Sequence, residues 1–184
     1  VDNAAKAVAA FERTLITPNS PYDKYVKGDK QAMTEQQVRG MNTFESTGCV
    51  ACHSGAAFNG PAMKSGEGFY AKFPTFADSD YVATYKLDQD KGRAEVTSKD
   101  ADANMFRVPT LRNITDTAPY FHNGAVNDLH EAVRIMAKTQ LNRELADGDV
   151  DDIVTFLGAL TGEYPAITMP RLPATSGMSL IADQ

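Results

Sequence analysis

Cys49 and Cys52 stand two residues apart in the run GCVACHSG, with His53 directly after the second, and the chain of 184 residues has no other cysteine. Few features constrain a fold as much as two thiols and an imidazole compelled to work in one place. A zinc site would need two more Cys or His ligands at similar local spacing, and the remaining histidines, His122 and His130, are far away in sequence. A thioredoxin-like redox pair belongs inside a strand-helix-strand pattern, and no alternating strand pattern flanks this stretch. Covalent haem attachment explains all three residues at once. Each thiol adds to one vinyl group of a porphyrin, and the adjacent imidazole is brought beneath the ring to ligate the iron.

The flanking sequence suits that chemistry. In MTEQQVRGMNTFEST, Thr34 and Gln37 form a capping box, and Val38, Met41 and Phe44 recur at a helical period, so a helix leads straight into the motif. An earlier helix is predicted from about Asp2 to Ile16, with an apolar stripe of Ala4, Val8, Phe11 and Leu15 expected as ordinary core and a stop at Pro18. Residues 128–138 offer Asp128 as N-cap and a stripe of Leu129, Ala132, Val133 and Met136. Residues 147–161 repeat the pattern with Val150, Ile153, Val154, Leu157 and Leu160, ended by Gly162. From Ser54 to about Val126 the chain is rich in Gly, Pro, Asn and Asp, with only short apolar runs. That is far longer than structureless loops usually are, and a bound haem would supply the hydrophobic centre around which it packs.

The expected architecture is therefore all-α and cytochrome c-like, a haem domain over 1–162 with long irregular loops, followed by a Pro-rich extended arm over 163–184. A hydrophobic content of 42% at this length is enough for one core without staples. With 24 acidic against 18 basic residues and no Lys/Arg-rich block, the composition argues against nucleic acid and anionic lipid as partners. No apolar run approaches the ~20 residues of a membrane span.

An iron with His53 on one side has an opposite face to fill. A thioether there favours Fe(II) and raises the potential. Met63 and Met105 lie in the loop region, Met136 on an inward helical face and Met169 in the tail, and spacing does not choose among these four. His122, in YFHNG, is a competing ligand whose bland reading is a surface or hydrogen-bonding residue. His130 falls on the polar side of its helix.

The run from AVAAFERTLITPNSPYDKYVKGD through GCVACHSG, DKGRAEV, FRVPTLRNITDTAPYFHNGAV, EAVRIMAKTQL and IVTFLGALTGEYP resembles the C-terminal haem domain of bacterial di-haem cytochrome c peroxidases. The resemblance spans nearly the whole chain. It implies Cys49 and Cys52 as the covalent haem cysteines, His53 as proximal ligand and Met136 as distal ligand of a high-potential haem. A related branch of cofactor-maturing enzymes carries tyrosine at that last position. It also implies Arg93 and Arg112 near the haem or its propionates, and main-chain carbonyls of Thr117 and Pro119 contributing to a calcium ion between two domains.

The function so implied is electron transfer, within an intact cytochrome c peroxidase, from a small cytochrome c or cupredoxin to the peroxidatic haem of an N-terminal domain, where hydrogen peroxide is reduced to water. The setting would be the periplasm, with a homodimer as a candidate assembly. The family carries two CxxCH motifs and this chain one, beginning almost at the first helix of the second domain, which is the pattern of a fragment of a longer enzyme. The competing reading is a free-standing mono-haem electron carrier without peroxidase activity.

Overall fold

Ser20 and Thr34 each start a helix with a reciprocal capping box, and such local signals set most of the helix boundaries. The computed structural model describes residues 2–64 and 66–168. In chain order the elements are α1 (Asp2–Glu12), α2 (Pro21–Val26), α3 (Glu35–Thr47), β1 (Tyr70–Lys72), α4 (Asp80–Tyr85), α5 (Ala94–Thr97), β2 (Met105–Arg107), α6 (Leu129–Leu141) and α7 (Asp147–Gly158). Single 3-10 turns cover Cys49–Ala51, Asp100–Asp102 and Ile114–Asp116. β1 and β2 pair antiparallel with Ala71 opposite Phe106. The expectation of a mainly helical fold holds, and the strand pair is an addition to it.

Two compact units are present, one of residues 17–163 and a smaller one described over 2–16 and 164–168. The unit that carries the thiol motif thus begins at Thr17 rather than with the first helix. The rest of the expected C-terminal arm, including Met169, lies outside the described residues. α1 is shorter than its periodicity suggests, because Thr14 and Leu15 close it with tight bonds to the carbonyls of Phe11 and Glu12. Its stripe is not core: no residue of α1 is buried, and Val8, Phe11 and Leu15 are 56%, 48% and 44% exposed. Periodicity selects which face of a helix is apolar; it does not supply the surface that covers it.

Within 17–163, α3 packs along α7. Gly40 permits the close approach, since a Cβ there would collide with the Asp152 carbonyl and lie 2.8 Å from the Phe156 Cβ. Glycine inside a helix costs about 1 kcal/mol relative to alanine, and here the contact it allows offsets that cost. The first core cluster forms at this junction from Met33, Phe44, Phe58, Ile153, Phe156, Leu157, Ala159 and Leu160. Tyr22, Phe44, Phe58 and Phe156 meet edge-on or tilted, with centroids 5.1–6.4 Å apart, the arrangement that ring quadrupoles favour.

A second cluster joins Phe73, Val82, Leu87, Tyr120, Val126, Ala132 and Ile135, with Met136 half-buried against it. α6 serves both clusters: Val133 packs on the first, Met136 on the second and Leu129 on both. The predicted stripe is therefore only part of its buried surface, and the fully buried residues of the helix are Ile135 and Thr139, both outside that stripe. The segment 54–126 contains α4, α5 and the strand pair, turned at left-handed Lys86, Ser98, Asn104, Asn113 and Phe121. Backbone bonds such as Phe73 N–H to the Asn104 carbonyl and Asn104 N–H to the Lys91 carbonyl, both 2.9 Å, hold it where apolar periodicity is lacking.

Candidate haem site

Gly48 ends α3 in the left-handed conformation at φ 106°, and the chain turns at once into the 3-10 turn Cys49–Ala51. The N–H groups of Cys52 and His53 both donate to the Cys49 carbonyl, at 3.2 and 2.9 Å. That winding keeps the two thiols and the imidazole on one short turn, and both cysteines are free and half-buried. Burial pushes the Cys49 thiol up to about 11, so at neutral pH it is the neutral S–H form.

His53 Nδ1 lies 2.9 Å from the Phe58 carbonyl. A carbonyl only accepts, so Nδ1 carries the proton and Nε2 presents its lone pair. Burial lowers the His53 pKa, outweighing the opposing hydrogen bond to Phe58, and so favours the neutral imidazole. A ring fixed through one nitrogen to a backbone carbonyl, with the other left to ligate, is the usual arrangement of metal-binding histidine. Two free thiols and an imidazole in this state fit covalent haem. Among the described residues no group of three or more His, Cys, Asp and Glu is arranged to hold a metal ion, so the thiol motif gains no further side-chain ligand of the zinc kind.

The carbonyl that orients His53 is itself held in an unusual place. Phe58 is a buried, bulky residue at φ 53°, a conformation costing of order 1–3 kcal/mol that persists only where surroundings over-determine it. Arg112 supplies part of that support. Its Nε and Nη2 donate to the Ala56 carbonyl at 2.9 and 2.8 Å, Nη2 also to Asp23 Oδ1 at 2.8 Å, and Nη1 to Ser20 Oγ at 3.0 Å. The guanidinium lies 5.5 Å from the ring centroids of both Tyr22 and Phe58. Thr110 adds a 2.6 Å bond to the Ala57 carbonyl. Burial would raise the Asp23 pKa, but bonds from Arg112 and Ser20 outweigh it and hold the carboxyl below the usual range. Arg112 was expected at the haem or its propionates; its donors go to the loop that follows the thiol motif and to the start of α2. Phe58, Thr110 and Ser20 were missed, because nothing local in the sequence marks a carbonyl as a ligand's partner.

Arg93 is half-exposed beside the strand pair, 3.3 Å from Asp102 and 4.4 Å from the Tyr70 ring centroid. Of the candidate thioethers, Met63 is 46% exposed, while Met105 on β2 and Met136 on α6 are half-buried in the loop half. His122 is exposed, stacked on Phe106 at 4.3 Å and edge-on to Phe73 at 5.9 Å; partial burial lowers its pKa against the opposing pull of Asp90. His130 is on the polar side of α6, as expected, 3.4 Å from Asp128 and Asp151. Thr117 and Pro119 are exposed, and the Thr117 hydroxyl donates to the Ile114 carbonyl.

A family model described as di-haem cytochrome c peroxidase matches residues 1–31. Cytochrome c551 peroxidase of Pseudomonas aeruginosa is 43% identical over 95% of this chain and 48% of its own length; that of Nitrosomonas europaea is 41% identical over 96% and 49%. Cytochrome c peroxidase Ccp of Escherichia coli is 40% identical over 89% of this chain and 33% of its own.

The chain belongs to the di-haem cytochrome c peroxidase family.

It spans about half the length of the first two of these relatives. Among solved structures, a MauG-like protein associated with microbial copper homeostasis superposes with a TM-score of 0.60 at 25% identity, covering 79% of this chain and 52% of that one. The di-haem peroxidase BthA of Burkholderia thailandensis shares the fold at a TM-score of 0.53, covering 78% and 46%. For a member of this family, a mainly helical scaffold is the expected fold. No helix among the described residues is long and apolar enough to cross a membrane.

Proposed function

We propose that this chain is the C-terminal, electron-transferring haem domain of a di-haem cytochrome c peroxidase. The observation that carries the reading is the fixed tautomer of His53, with Nδ1–H on the Phe58 carbonyl and Nε2 free, on the same turn as two free thiols. A haem c bound here would supply one-electron Fe(III)/Fe(II) chemistry. Cys49 and Cys52 would tether it by thioether bonds, and His53 would be the proximal ligand. Met136 would be the second protein ligand; its half-buried place on α6 against the second core cluster supports that choice over exposed Met63. A thioether held there would favour Fe(II) and leave this haem to electron transfer rather than peroxide binding. Arg93 is the basic residue nearest in role to a propionate partner. The carbonyls of Thr117 and Pro119 contribute to calcium at a boundary with a second haem domain.

In the whole enzyme the electron comes from a small cytochrome c or cupredoxin and goes to a peroxidatic haem that reduces hydrogen peroxide to water, in the periplasm. The test uses the haem-loaded chain. The oxidised form should show the weak near-infrared charge-transfer band of a sulfur ligand, lost in Met136→Ala and retained in Met105→Ala and Met63→Ala. Steady-state oxidation of a reduced small cytochrome by peroxide should be negligible with this chain and restored in a form carrying a second haem domain. Loss of the band with Met105 or Met63 instead would show the wrong thioether, and turnover by this chain alone would overturn the division of labour.

A further inference from the structure

Arg112 has more partners than a surface cation needs, and together they tie one loop to the start of α2. Through Nε and Nη2 it grips the Ala56 carbonyl, two residues before Phe58, and through Nη1 and Nη2 it is fastened to Ser20 and Asp23 at the start of α2. Ser20 is fully buried and Asp23 is locked to it by the capping box, so the anchor is rigid. Thr110 takes the next carbonyl, Ala57, with its hydroxyl, and Leu111 N–H takes it again at 3.3 Å. The loop is thus held at two successive residues immediately before a left-handed Phe58 whose carbonyl receives His53 Nδ1.

We propose that Arg112 is a positioning residue for the proximal imidazole, acting through the Ala56–Phe58 carbonyls rather than by touching the haem. The proposal rests on His53 being the iron ligand. The chain of cause is short. The clamp sets where Phe58 can turn, the turn sets where its carbonyl points, and the carbonyl sets the orientation and electron donation of the ring. A strong Nδ1–H bond makes an imidazole a better donor and favours Fe(III), so loosening it raises the reduction potential.

The experiment follows His53 Nδ1–H by NMR in the reduced, haem-loaded chain, together with the potential. In the unaltered protein that proton should carry a large haem ring-current shift and exchange slowly with solvent; absence of the shift would overturn the ligand assignment itself. With the shift present, Arg112→Gln should speed the exchange about tenfold, the net worth of roughly one hydrogen bond, and raise the potential. Arg112→Lys should restore part of both, and Thr110→Val should show a smaller change in the same direction. Ile153→Val, which trims the same core cluster but leaves every clamp contact in place, should change neither. Exchange and potential in Arg112→Gln that match the Ile153→Val control would overturn the positioning role. If Arg112→Gln does not yield loaded protein, wild-type exchange in both Arg112→Lys and Thr110→Val would overturn it equally.

Discussion

The half of the 17–163 unit that carries the thiol motif and the half that carries Met136 are built by different means. In the first, two helices of twelve or thirteen residues lie against each other, and four aromatic rings from α2, α3, the loop after the motif and α7 fill their junction. In the second, a single helix of thirteen residues, α6, is joined by short helices, three-residue strands and a succession of left-handed residues around Phe73, Tyr120 and Ile135. Two periodic helices packed along each other over-determine the first; in the second, turn geometry and isolated backbone bonds hold the segments that pack on the one long helix. The first half therefore presents a rigid imidazole, and the second is the part expected to depend on the haem for its centre.

Removing the haem should break the symmetry between the halves most completely. In a Cys49→Ser, Cys52→Ser chain, amide protection over 73–126 should fall to near the unfolded level while α3 and α7 keep measurable protection, read residue by residue by hydrogen exchange. Equal protection in both halves of the apo chain would show that the loop half has a core of its own. Truncating one large ring in each half gives the next largest effect. Phe156→Ala should cost about 3–5 kcal/mol in denaturant unfolding, because its ring touches Tyr22, Phe44 and Phe58 at once. Phe73→Ala should cost less in the apo chain than in the loaded one, whereas the Phe156→Ala cost should be similar in both.

The Arg112 clamp gives a smaller, pH-dependent signature. Asp23→Asn should destabilise by about 1.5–3 kcal/mol at neutral pH, the worth of hydrogen bonds to a charged group. The folded carboxyl is held below the 3.8 of a free aspartate, so its contribution is complete above that value and declines as the pH falls through the depressed folded pKa. The difference between the unaltered chain and Asp23→Asn should accordingly shrink below about pH 4, followed by urea unfolding at stepped pH. The smallest effect belongs to Arg39, whose side chain is 59% exposed in its pair with Asp152 across α3 and α7. Arg39→Gln should cost about 0–1 kcal/mol, and less in high salt.

Much of what depends on a few neighbouring residues was readable in the sequence, although α2 and its Ser20–Asp23 capping box, at a spacing of three, were not read. The capping box of Thr34 and Gln37, the cap at Asp128 and the inward face of α7 follow from spacings of two to four positions, where chain connectivity already brings the groups together. The family, too, could be recognised from such runs. What failed to be read was the covering of surfaces: α1 has its apolar stripe but no burial, and α6 buries Ile135 on a side its stripe does not show, because it stands between two clusters.

Only the tertiary structure decided which carbonyl meets His53 and what holds it. Arg112 reaches Ala56, Asp23 and Ser20 across 56, 89 and 92 positions of sequence. At such separations no periodicity connects the partners, and many arginines and aspartates are chemically equivalent candidates. The choice among them is made by the packing of α2 and the 110–112 run against the same aromatic core, where the Arg112 guanidinium lies 5.5 Å from the ring centroids of both Tyr22 and Phe58. Local spacing set the imidazole beside the thiols, and long-range packing aimed it.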